Sequence, residues 1–530
     1  MDKTLDRRAF VKGALVTGVA ATVTAGATLA ACTTEDETEI EPLYPNWSFL
    51  ADVVVVGSGF AGLAAAISAA EAGASVIVVE KAPEAEAGGN SRVSAQAVWT
   101  PSEIEATIRY FKEIATDYHL IDMPDAVIEA FINEAAKNAE WLIEQTGLDI
   151  AVVNSIEYPN APSSDLARQS CMAMPKDGLG LSIIWDALMA KAQSTDITFQ
   201  FEAPMTDLVF SPEGEAVGIM VGDSAVAANK GIVICSGGFE NNEAMCANYL
   251  RYPALFWGTP YNTGDAHQIC QRYDIDFWHM NSATPGTRIG LSMPGQEAKY
   301  DRISLDFEFT SSTAFFWVDK YGQRFMNEKN EYMHGYGRDE IFYVDGMKME
   351  WPRLPLWQVF DESSVAELTR NKRSGWLELV GDINISNALA AEIAAGVVFK
   401  ADSPEGLAEQ AGLDVSAFVA AFNEYNGFAL AGDDPGFGRD AARMTALQSP
   451  PYYIAQVFPV MVNTNGGPRR NEQAQILRTD GSPVPRLFSA GEFGSVWAWF
   501  YQGGGNVSEC LAFGRIAGRN AAALENWMPS

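Results

Sequence analysis

Three glycines follow a β-branched run near the start of the folded chain. Residues 52–56 have the composition of a buried parallel strand, and Gly57, Gly59 and Gly62 come between this run and an alanine-rich helical pattern. Gly57 would permit a tight turn, Gly59 would let the backbone approach a pyrophosphate, and Gly62 would allow the helix to pack closely on the strand. Amides at the helix N-terminus would then be available to bind phosphates.

An acidic residue after the next strand extends this pattern. Residues 75–79 form a second β-branched run, and Glu80 follows it at the distance where a carboxylate accepts hydrogen bonds from an adenosine ribose. A glycine turn of this type alone would be weak evidence, because a purely structural turn has the same pattern. The combination predicts a dinucleotide-binding fold, for which NAD and FAD are both compatible ligands.

Further motifs occur in an order that resembles the fumarate reductase flavoprotein family. They are a Gly-Gly-Asn-Ser segment at 88–91, a strand with a Gly-Gly-Phe turn at 232–239, a Thr-Gly-Asp segment at 263–265, a returning strand at 487–492 and a glycine turn at 503–506. The resemblance spans nearly the whole chain after the N-terminal segment and implies noncovalently bound FAD. The FAD-binding residues that it implies, together with the glycine turn, are Gly57, Gly59, Phe60, Ala61, Gly62, Glu80, Lys81, Gly88, Gly89, Asn90, Ser91, Ser94, Gly237, Asp265, Gly491, Glu492, Gly505, Asn506 and Val507.

The resemblance also implies the architecture. It is an α/β fold in which a Rossmann-type FAD-binding domain is built from two chain segments, with an α+β capping domain inserted between them. The implied FAD-binding segments are 47–290 and 463–530, and the capping (substrate) domain is 291–462. Helical periodicity independently predicts three helices, at 126–145, 386–395 and 414–425.

The position of the family's proton-donating arginine has a different residue in this chain. In that family hydride passes between flavin N5 and one carbon of an activated double bond, while a side chain exchanges a proton with the neighbouring carbon. The donor lies eight residues after the Arg of a segment that matches 322–328, and ungapped counting reaches Tyr332. Arg338 or His334 would take this role if the loop carries an insertion. The family's proton relay would keep its acid, Glu308, but not its second arginine.

Neutral residues occupy the positions of the family's carboxylate-binding cations. The resemblance places Asn463 where the family has a His and Gln502 where it has an Arg. A buried ion without a partner is destabilising, so a dicarboxylate such as fumarate should be a poor ligand. Trp499 and Tyr501 add aromatic surface next to Gln502, which suits a larger, mostly uncharged enone, a steroid-like ring or an aryl-acrylate.

The first residues resemble an export signal. A twin-arginine pair at 7–8 precedes an uncharged stretch, 13–32, that is rich in Thr and Gly and would be a poor membrane anchor. Residues 1–31 are therefore interpreted as a signal whose end resembles a lipobox, with Cys32 as the lipidated residue. An ordinary cleavage site is the alternative. The acidic segment 32–46 would form a tether, which places the protein at the outer face of the cytoplasmic membrane, in the periplasm or at the cell surface.

Composition argues against several partners and prosthetic groups. The chain has 36 Lys and Arg against 68 Asp and Glu, and the net charge of −32 argues against binding to nucleic acid. Six Cys without a Cys-x-x-Cys pair argue against iron–sulfur, c-type haem and zinc sites, and no metal is expected. Since no segment resembles a haem or FMN module, electrons would come from a separate donor such as a membrane-bound cytochrome or a quinol-linked protein.

These observations predict an exported FAD enzyme that reduces a conjugated C=C bond of a small-molecule, non-dicarboxylate acceptor, in a setting of anaerobic respiration. Two alternatives stay open. One is a dehydrogenase of the 3-ketosteroid type, because both directions use the same flavin geometry and differ in redox poise. The other is an FAD electron-relay lipoprotein without turnover, which the loss of the family Arg at Tyr332 suggests.

Overall fold

The chain alternates helices with the strands of four sheets. The structure, a computed structural model, describes residues 44–117, 123–167, 171–176, 182–250, 253–294, 301–307, 309, 313–329, 338–368, 375–381, 383–498 and 500–528. The strands are β1 Trp47–Val56, β2 Val76–Val79, β3 Val98–Thr100, β4 Ile150–Asn154, β5 Cys171–Pro175, β6 Ile197–Gln200, β7 Met205–Phe210, β8 Ala216–Val221, β9 Ser224–Ile234, β10 Leu255–Phe256, β11 Phe277–Trp278, β12 Ala283–Leu291, β13 Leu305–Asp306, β14 Phe315–Val318, β15 Leu356–Asp361, β16 Val398–Ala401, β17 Tyr452–Thr464, β18 Gly467–Pro468, β19 Gln475–Leu477 and β20 Pro483–Ser489. The α-helices are α1 Phe60–Glu71, α2 Gly89–Val93, α3 Ile104–Lys112, α4 Asp125–Ala135, α5 Asn138–Thr146, α6 Ser164–Ala167, α7 Ile183–Gln193, α8 Glu243–Tyr249, α9 Asp265–Cys270, α10 Arg338–Ile341, α11 Glu362–Leu368, α12 Trp376–Leu379, α13 Ala390–Ala394, α14 Pro404–Ala411, α15 Val415–Ala431 and α16 Gly505–Ala522.

The larger sheet has eight strands with a parallel centre. Its parallel strands lie in the order β20-β9-β1-β2-β6, and β19 pairs antiparallel with β20. In the β7–β8 hairpin, β8 pairs antiparallel with the first part of β9, while β20 pairs with its last part. In β1, Val53 and Val55 pack into one apolar cluster, and Val54 and Val56 pack into another on the opposite face. Because both faces are covered, the strand is a continuous β-branched run instead of an alternating one.

Helices α1 and α16 pack closely over one face of this sheet. A Cβ atom on Gly514 would lie 2.6 Å from the Ala61 carbonyl oxygen, and one on Gly518 would lie 2.2 Å from that of Ala65. These glycines therefore set how near the two helices approach. The first helix and the last helix of the described chain thus share one core with β1 and β20.

The predicted α/β fold class is confirmed, while the domain boundaries near 290 and 462 stay predictions because Tyr44–Ser530 forms one compact unit.

A second sheet of seven strands is organised around β17. Its order is β13-β12-β17-β15-β14, and β10 and β16 also pair with β17. The first half of β17 pairs with β15 and β16, and its second half pairs with β12 and β10. One long strand therefore runs from the core of this sheet to Thr464, which lies beside the Gly-Gly turn near residue 237.

A buried ion-pair network lies behind the 322–328 segment. Arg324 donates to both oxygens of Glu328, at 2.7 and 2.9 Å, and to Asp434 at 2.8 Å. Arg439 donates to Glu328 at 3.3 Å and to the Phe315 carbonyl oxygen at 2.8 Å. All four charged side chains are buried, so removing one partner would leave an uncompensated charge in the core.

The predicted helices are present with shifted bounds. The segment 414–425 corresponds to α15, whose N-cap Asp414 accepts a hydrogen bond from the Ala417 N–H at 2.7 Å. The segment 126–145 is divided into α4 and α5, and 386–395 contains a 3₁₀ turn followed by the short helix α13. In the part of the chain that the structure describes, no helix has both the length and the hydropathy needed to cross a bilayer.

Candidate active site

The glycine turn between β1 and α1 provides no capping side chain of its own for the helix. Gly57 has φ +101°, in the region that favours glycine, and a Cβ atom there would lie 2.4 Å from the Cys235 carbonyl oxygen. On Gly62 a Cβ atom would lie 1.9 Å from the Gly57 carbonyl oxygen. Gly59 has no side chain to cap α1, and the Ser91 hydroxyl accepts from the Phe60 N–H at 2.8 Å. This turn therefore has the backbone geometry of a phosphate-binding helix N-terminus.

Glu80 ties the end of β2 to this turn. One carboxylate oxygen accepts from the backbone N–H and the hydroxyl of Ser58, at 3.0 and 2.7 Å, and the other accepts from the Ala82 N–H at 2.8 Å. A carboxylate has about four acceptor sites, so Glu80 retains capacity for ribose hydroxyl groups. Nearby, the ammonium group of Lys81 forms an ion pair with Asp265 at 2.6 Å.

A cavity of about 840 Å³ opens at the glycine turn, and we call it the glycine-turn cavity. The hydroxyl of Ser236 lines it and, within the described residues, is buried without a hydrogen-bond partner. A polar ligand would satisfy this group. The implied FAD-binding residues that line this cavity are Gly57, Gly59, Ala61, Glu80, Lys81, Gly88, Gly89, Asn90, Ser91, Gly237, Asp265, Gly491 and Glu492.

A second cavity, of about 1720 Å³, adjoins the first, and we call it the adjoining cavity. Asn90, Ser91, Glu492 and Cys510 line both cavities. Four more of the implied FAD-binding residues line only the adjoining cavity: Phe60, Ser94, Asn506 and Val507. The remaining two, Gly62 and Gly505, line neither cavity. Gly62 packs on the glycine turn, and Gly505 packs on Trp497.

The described wall of the adjoining cavity combines apolar, neutral polar and acidic residues. Its aromatic residues include Trp257 and Tyr501, and its carboxylates are Glu157 and Glu492. Among its described lining residues there is no Lys, Arg or His. One oxygen of Glu157 lies 3.5 Å from the position that a Cβ atom on Gly503 would occupy, so this carboxylate is next to the glycine turn that precedes α16.

Two carboxylates, Glu240 and Glu492, share hydrogen-bond donors between the cavities. The side-chain amide nitrogens of Asn90 and Asn262 each donate to Glu240 at 2.7 Å and approach Glu492 at 3.2 to 3.3 Å. Burial raises the pKa of Glu240, although the amides act against this. Burial and the neighbouring Glu240 together raise the pKa of Glu492 well above its usual range.

The residues expected to clamp or line the substrate are in different environments. Asn463 is fully buried, where its amide donates to Asn465 at 2.8 Å and accepts from Asn506. Gln502 is also fully buried and accepts from the Tyr110 hydroxyl at 3.1 Å and the Glu157 N–H at 3.0 Å. Tyr501 lines the adjoining cavity, whereas Asn463 and Gln502 do not.

The proton-transfer residues are largely beyond what the structure describes. Tyr332, His334, Glu308 and the aromatic Trp499 lie outside the described residues. Arg338 begins helix α10, and its backbone alone is described. The assignments of these residues therefore stay predictions.

Two residues that the motifs did not indicate belong to the site. Glu240 directly follows the Gly-Gly-Phe turn, and this position next to the motif is the sequence signal that could have indicated it. Glu157 lies in a segment without a recognisable motif, and only the packing of Gly503 and Gln502 against it brings it to the cavity.

Comparison with known proteins identifies the family. A profile described as FAD binding domain matches residues 52–508. The chain belongs to this family. It is thus an FAD-dependent oxidoreductase, and the resemblance to the fumarate reductase flavoproteins is confirmed by its relatives. A probable fumarate reductase from Shewanella frigidimarina is 28% identical over 89% of this chain and 74% of its own length.

Other relatives of this FAD-binding chain are named for digoxin and for steroids. Digoxin reductase from Eggerthella lenta is 27% identical and is aligned over 99% of this chain and 98% of its own. A 3-oxosteroid 1-dehydrogenase from Mycolicibacterium smegmatis is 26% identical over 89% of this chain and 97% of its own. The crystal structure of 3-ketosteroid delta1-dehydrogenase from Sterolibacterium denitrificans has the same fold, with a TM-score of 0.75, 21% identity and coverage of 89% and 99%.

Proposed function

We propose that this protein reduces a conjugated C=C bond in a bulky, neutral acceptor such as a polycyclic or aryl enone. The observation that carries the proposal is the adjoining cavity. It holds about 1720 Å³ of empty space, part of it open to solvent, it shares four residues with the glycine-turn cavity, and its described wall contains Glu157 and Glu492 without a cationic side chain. Against the described part of this wall an acceptor carboxylate would meet two acidic residues and no counter-ion.

The residues of the glycine-turn cavity are suited to hold FAD. The glycine turn and the start of α1 would take the pyrophosphate, Glu80 would accept from the adenosine ribose, and Ser236 would gain a hydrogen-bond partner. Bound FAD supplies the hydride chemistry of the reaction. The chain supplies an apolar wall that excludes water and orients the acceptor, and Tyr332 is the proposed proton donor.

The relatives support an enone acceptor. The names digoxin reductase and 3-oxosteroid 1-dehydrogenase both refer to large, uncharged molecules. The second relative also favours a second candidate function, in which the chain oxidises a 3-ketosteroid instead of reducing an enone. The two directions require the same cavity and differ in which substrate is consumed.

An anaerobic assay tests the proposal. Reduced dye would be supplied as the electron source with neutral enones, aryl-acrylates, urocanate and fumarate, and saturated 3-ketosteroids would be tested with an oxidised dye. We expect the fastest turnover with a neutral enone. Fumarate as the best acceptor would contradict the cavity argument, oxidation of the ketosteroids alone would favour the dehydrogenase, and no turnover would favour an electron relay.

Export and electron supply are further parts of the proposal. The twin-arginine pair at 7–8 and Cys32 support a lipoprotein at the outer face of the cytoplasmic membrane, supplied by a separate electron donor such as a cytochrome or a quinol-linked protein. Cell fractionation of a Cys32→Ser variant tests this. We expect the variant to be released from the membrane fraction, and retention equal to the unchanged protein would contradict lipidation.

A further inference from the structure

Glu240 and Glu492 are held together by the same two amide groups. Oε1 of Glu240 accepts from Nδ2 of Asn90 and from Nδ2 of Asn262, both at 2.7 Å. The same nitrogens lie 3.2 to 3.3 Å from the carboxylate of Glu492. Because an amide nitrogen carries two hydrogens, each amide can donate one to each glutamate.

The orientation of the Asn90 amide is fixed by its other end. Its Oδ1 accepts from the Thr259 N–H at 2.9 Å, so its nitrogen must be directed at the two glutamates. Neither glutamate has a cationic side chain within ion-pair distance among the described residues. The pair thus consists of two carboxylates close enough to share donors, with no counter-ion in the part of the chain that the structure describes, and like charges in this arrangement cannot both ionise without a large cost.

The surroundings of the two glutamates are unequal. Glu240 is fully buried and its second oxygen also accepts from the hydroxyl of Thr464 at 3.0 Å and, at 3.4 Å, from the Thr464 N–H. Glu492 receives only the longer amide contacts and borders both cavities. Hydrogen bonds to an ionised carboxylate stabilise that form, so the charge is better supported on Glu240.

Other charged groups around the pair do not change this assignment. Arg302 donates to the backbone oxygen of Glu240 at 3.3 Å and not to its carboxylate. Arg470 forms an ion pair with Glu509 of α16 at 2.7 Å and not with either glutamate of the pair. The thiols of Cys246 and Cys510 are neutral, because burial raises the pKa of both.

We propose that Glu240 and Glu492 together hold one proton, and that this proton resides on Glu492 as a neutral carboxylic acid at the junction of the two cavities. Glu240 is the ionised partner and acts as a positioning residue through Glu492. The consequence is a hydrogen-bond donor, instead of an anion, where the FAD site meets the substrate site. A second negative charge there would oppose electron uptake by the cofactor.

Infrared spectroscopy of the FAD-loaded protein tests this assignment without relying on turnover. The unchanged protein, with glutamate labelled by ¹³C at the side-chain carboxyl group, would be measured at pH 7 in H₂O and D₂O. We expect a carbonyl band of a protonated carboxylic acid that moves to lower frequency with the label and with D₂O. Absence of such a band means that both glutamates are ionised and overturns the proposal. This measurement needs no substitution and therefore does not depend on a variant that folds.

Substitutions then locate the proton. We expect Glu492→Gln to abolish the band, and Glu240→Gln to move its titration to lower pH, since Glu492 loses its anionic neighbour. Glu243→Gln removes an exposed carboxylate three residues from Glu240 and is the matched control, which should leave the titration unchanged. A band that survives Glu492→Gln but disappears in Glu240→Gln places the proton on the other glutamate and contradicts the assignment, as does an unshifted titration in Glu240→Gln.

Discussion

Glu157 is the residue through which the cavity is expected to discriminate between acceptors. Its carboxylate borders the glycine turn at Gly503, in a wall without a described cation. We expect Glu157→Gln to raise the turnover of an anionic aryl-acrylate relative to a neutral enone by about tenfold, because one repulsive charge is removed at close range. Competition assays with the two acceptors measure this ratio.

The matched control for Glu157 is Glu144→Gln, which removes an exposed carboxylate on α5. It should leave the ratio of the two turnovers unchanged. An equal ratio in the Glu157→Gln variant and the unchanged protein would remove Glu157 from the specificity argument.

Tyr332 is expected to protonate the acceptor. A phenol with a pKa near 10 keeps its proton at neutral pH and can donate it to a developing enolate. We expect Tyr332→Phe to lower turnover at least about a hundredfold, which is the lower range for a lost general acid, while FAD stays bound. Reoxidation of the reduced flavin by the acceptor measures the step, with Tyr321→Phe as the control. Unchanged turnover would transfer the role to Arg338 or His334.

At the scale of elements, α16 and α1 depend on glycine for their separation. A methyl group on Gly518 would lie 2.2 Å from the Ala65 carbonyl oxygen, a backbone atom that cannot rotate away. We expect Gly518→Ala to lower the free energy of unfolding by about 1–3 kcal/mol through overpacking. Urea denaturation measures the change.

Gly427 in α15 provides the opposite control for Gly518. It is exposed, and nothing lies within 4 Å of the position of its Cβ atom. Gly427→Ala should therefore stabilise the protein, by up to about 1 kcal/mol, through helix propensity alone. The same sign of effect in both variants would contradict the packing argument.

Glu134 joins α4 to α16 in a pH-dependent way. Burial acts to raise its pKa, but hydrogen bonds from Arg519 and Arg515 prevail and lower the pKa from 4.5 to about 2. The ionised form is thus favoured by folding, so this stabilisation is complete above about pH 4.5 and is lost as the pH falls towards 2. Arg519 is half exposed, and solvent screens part of the interaction.

We expect Glu134→Gln to lower the free energy of unfolding by about 2 kcal/mol at pH 6 and by roughly half as much at pH 3, where the unfolded chain is already protonated at this position. Denaturant unfolding at the two pH values measures this difference. Glu129→Gln, on the exposed side of α4, is the control and should change stability by less than about 0.5 kcal/mol at either pH. A deficit in Glu134→Gln that is independent of pH would contradict the ionised state of Glu134.

The elements that the sequence predicts well are those with strong local patterns. The β-branched runs and the glycine turn predicted β1, α1 and β2, because burial on both faces and the turn geometry leave few other residue choices. The orientation of Gln502 was not predictable in this way. A polar side chain next to a glycine turn can line a cavity or bond inward, and the inward partners, Tyr110 and the Glu157 N–H, lie more than 300 positions away in sequence. The pairing of Glu240 with Glu492 was not predictable for the same reason, because these two residues also lie far apart in sequence.

For the whole molecule, the net charge of −32 should make stability depend on salt. Repulsion between acidic groups opposes the compact state, and its range falls from about 30 Å at 0.01 M salt to about 8 Å at 0.15 M. We expect NaCl over this interval to raise the Tm by roughly 3–6 °C. Thermal unfolding measures the shift, with an uncharged osmolyte at equal osmolality as the control. A Tm that falls with salt would mean that attractive ion pairs prevail.

The parallel sheet also sets an order of events during synthesis. Strand β20 pairs with β9, and α16 packs on α1, so the sheet and the helix pair that border the cofactor cavity stay incomplete until residues beyond 500 have left the ribosome. A shorter nascent chain therefore lacks the strand and the helix that complete the cofactor cleft. Flavin loading is expected to follow the synthesis of residues 505–522.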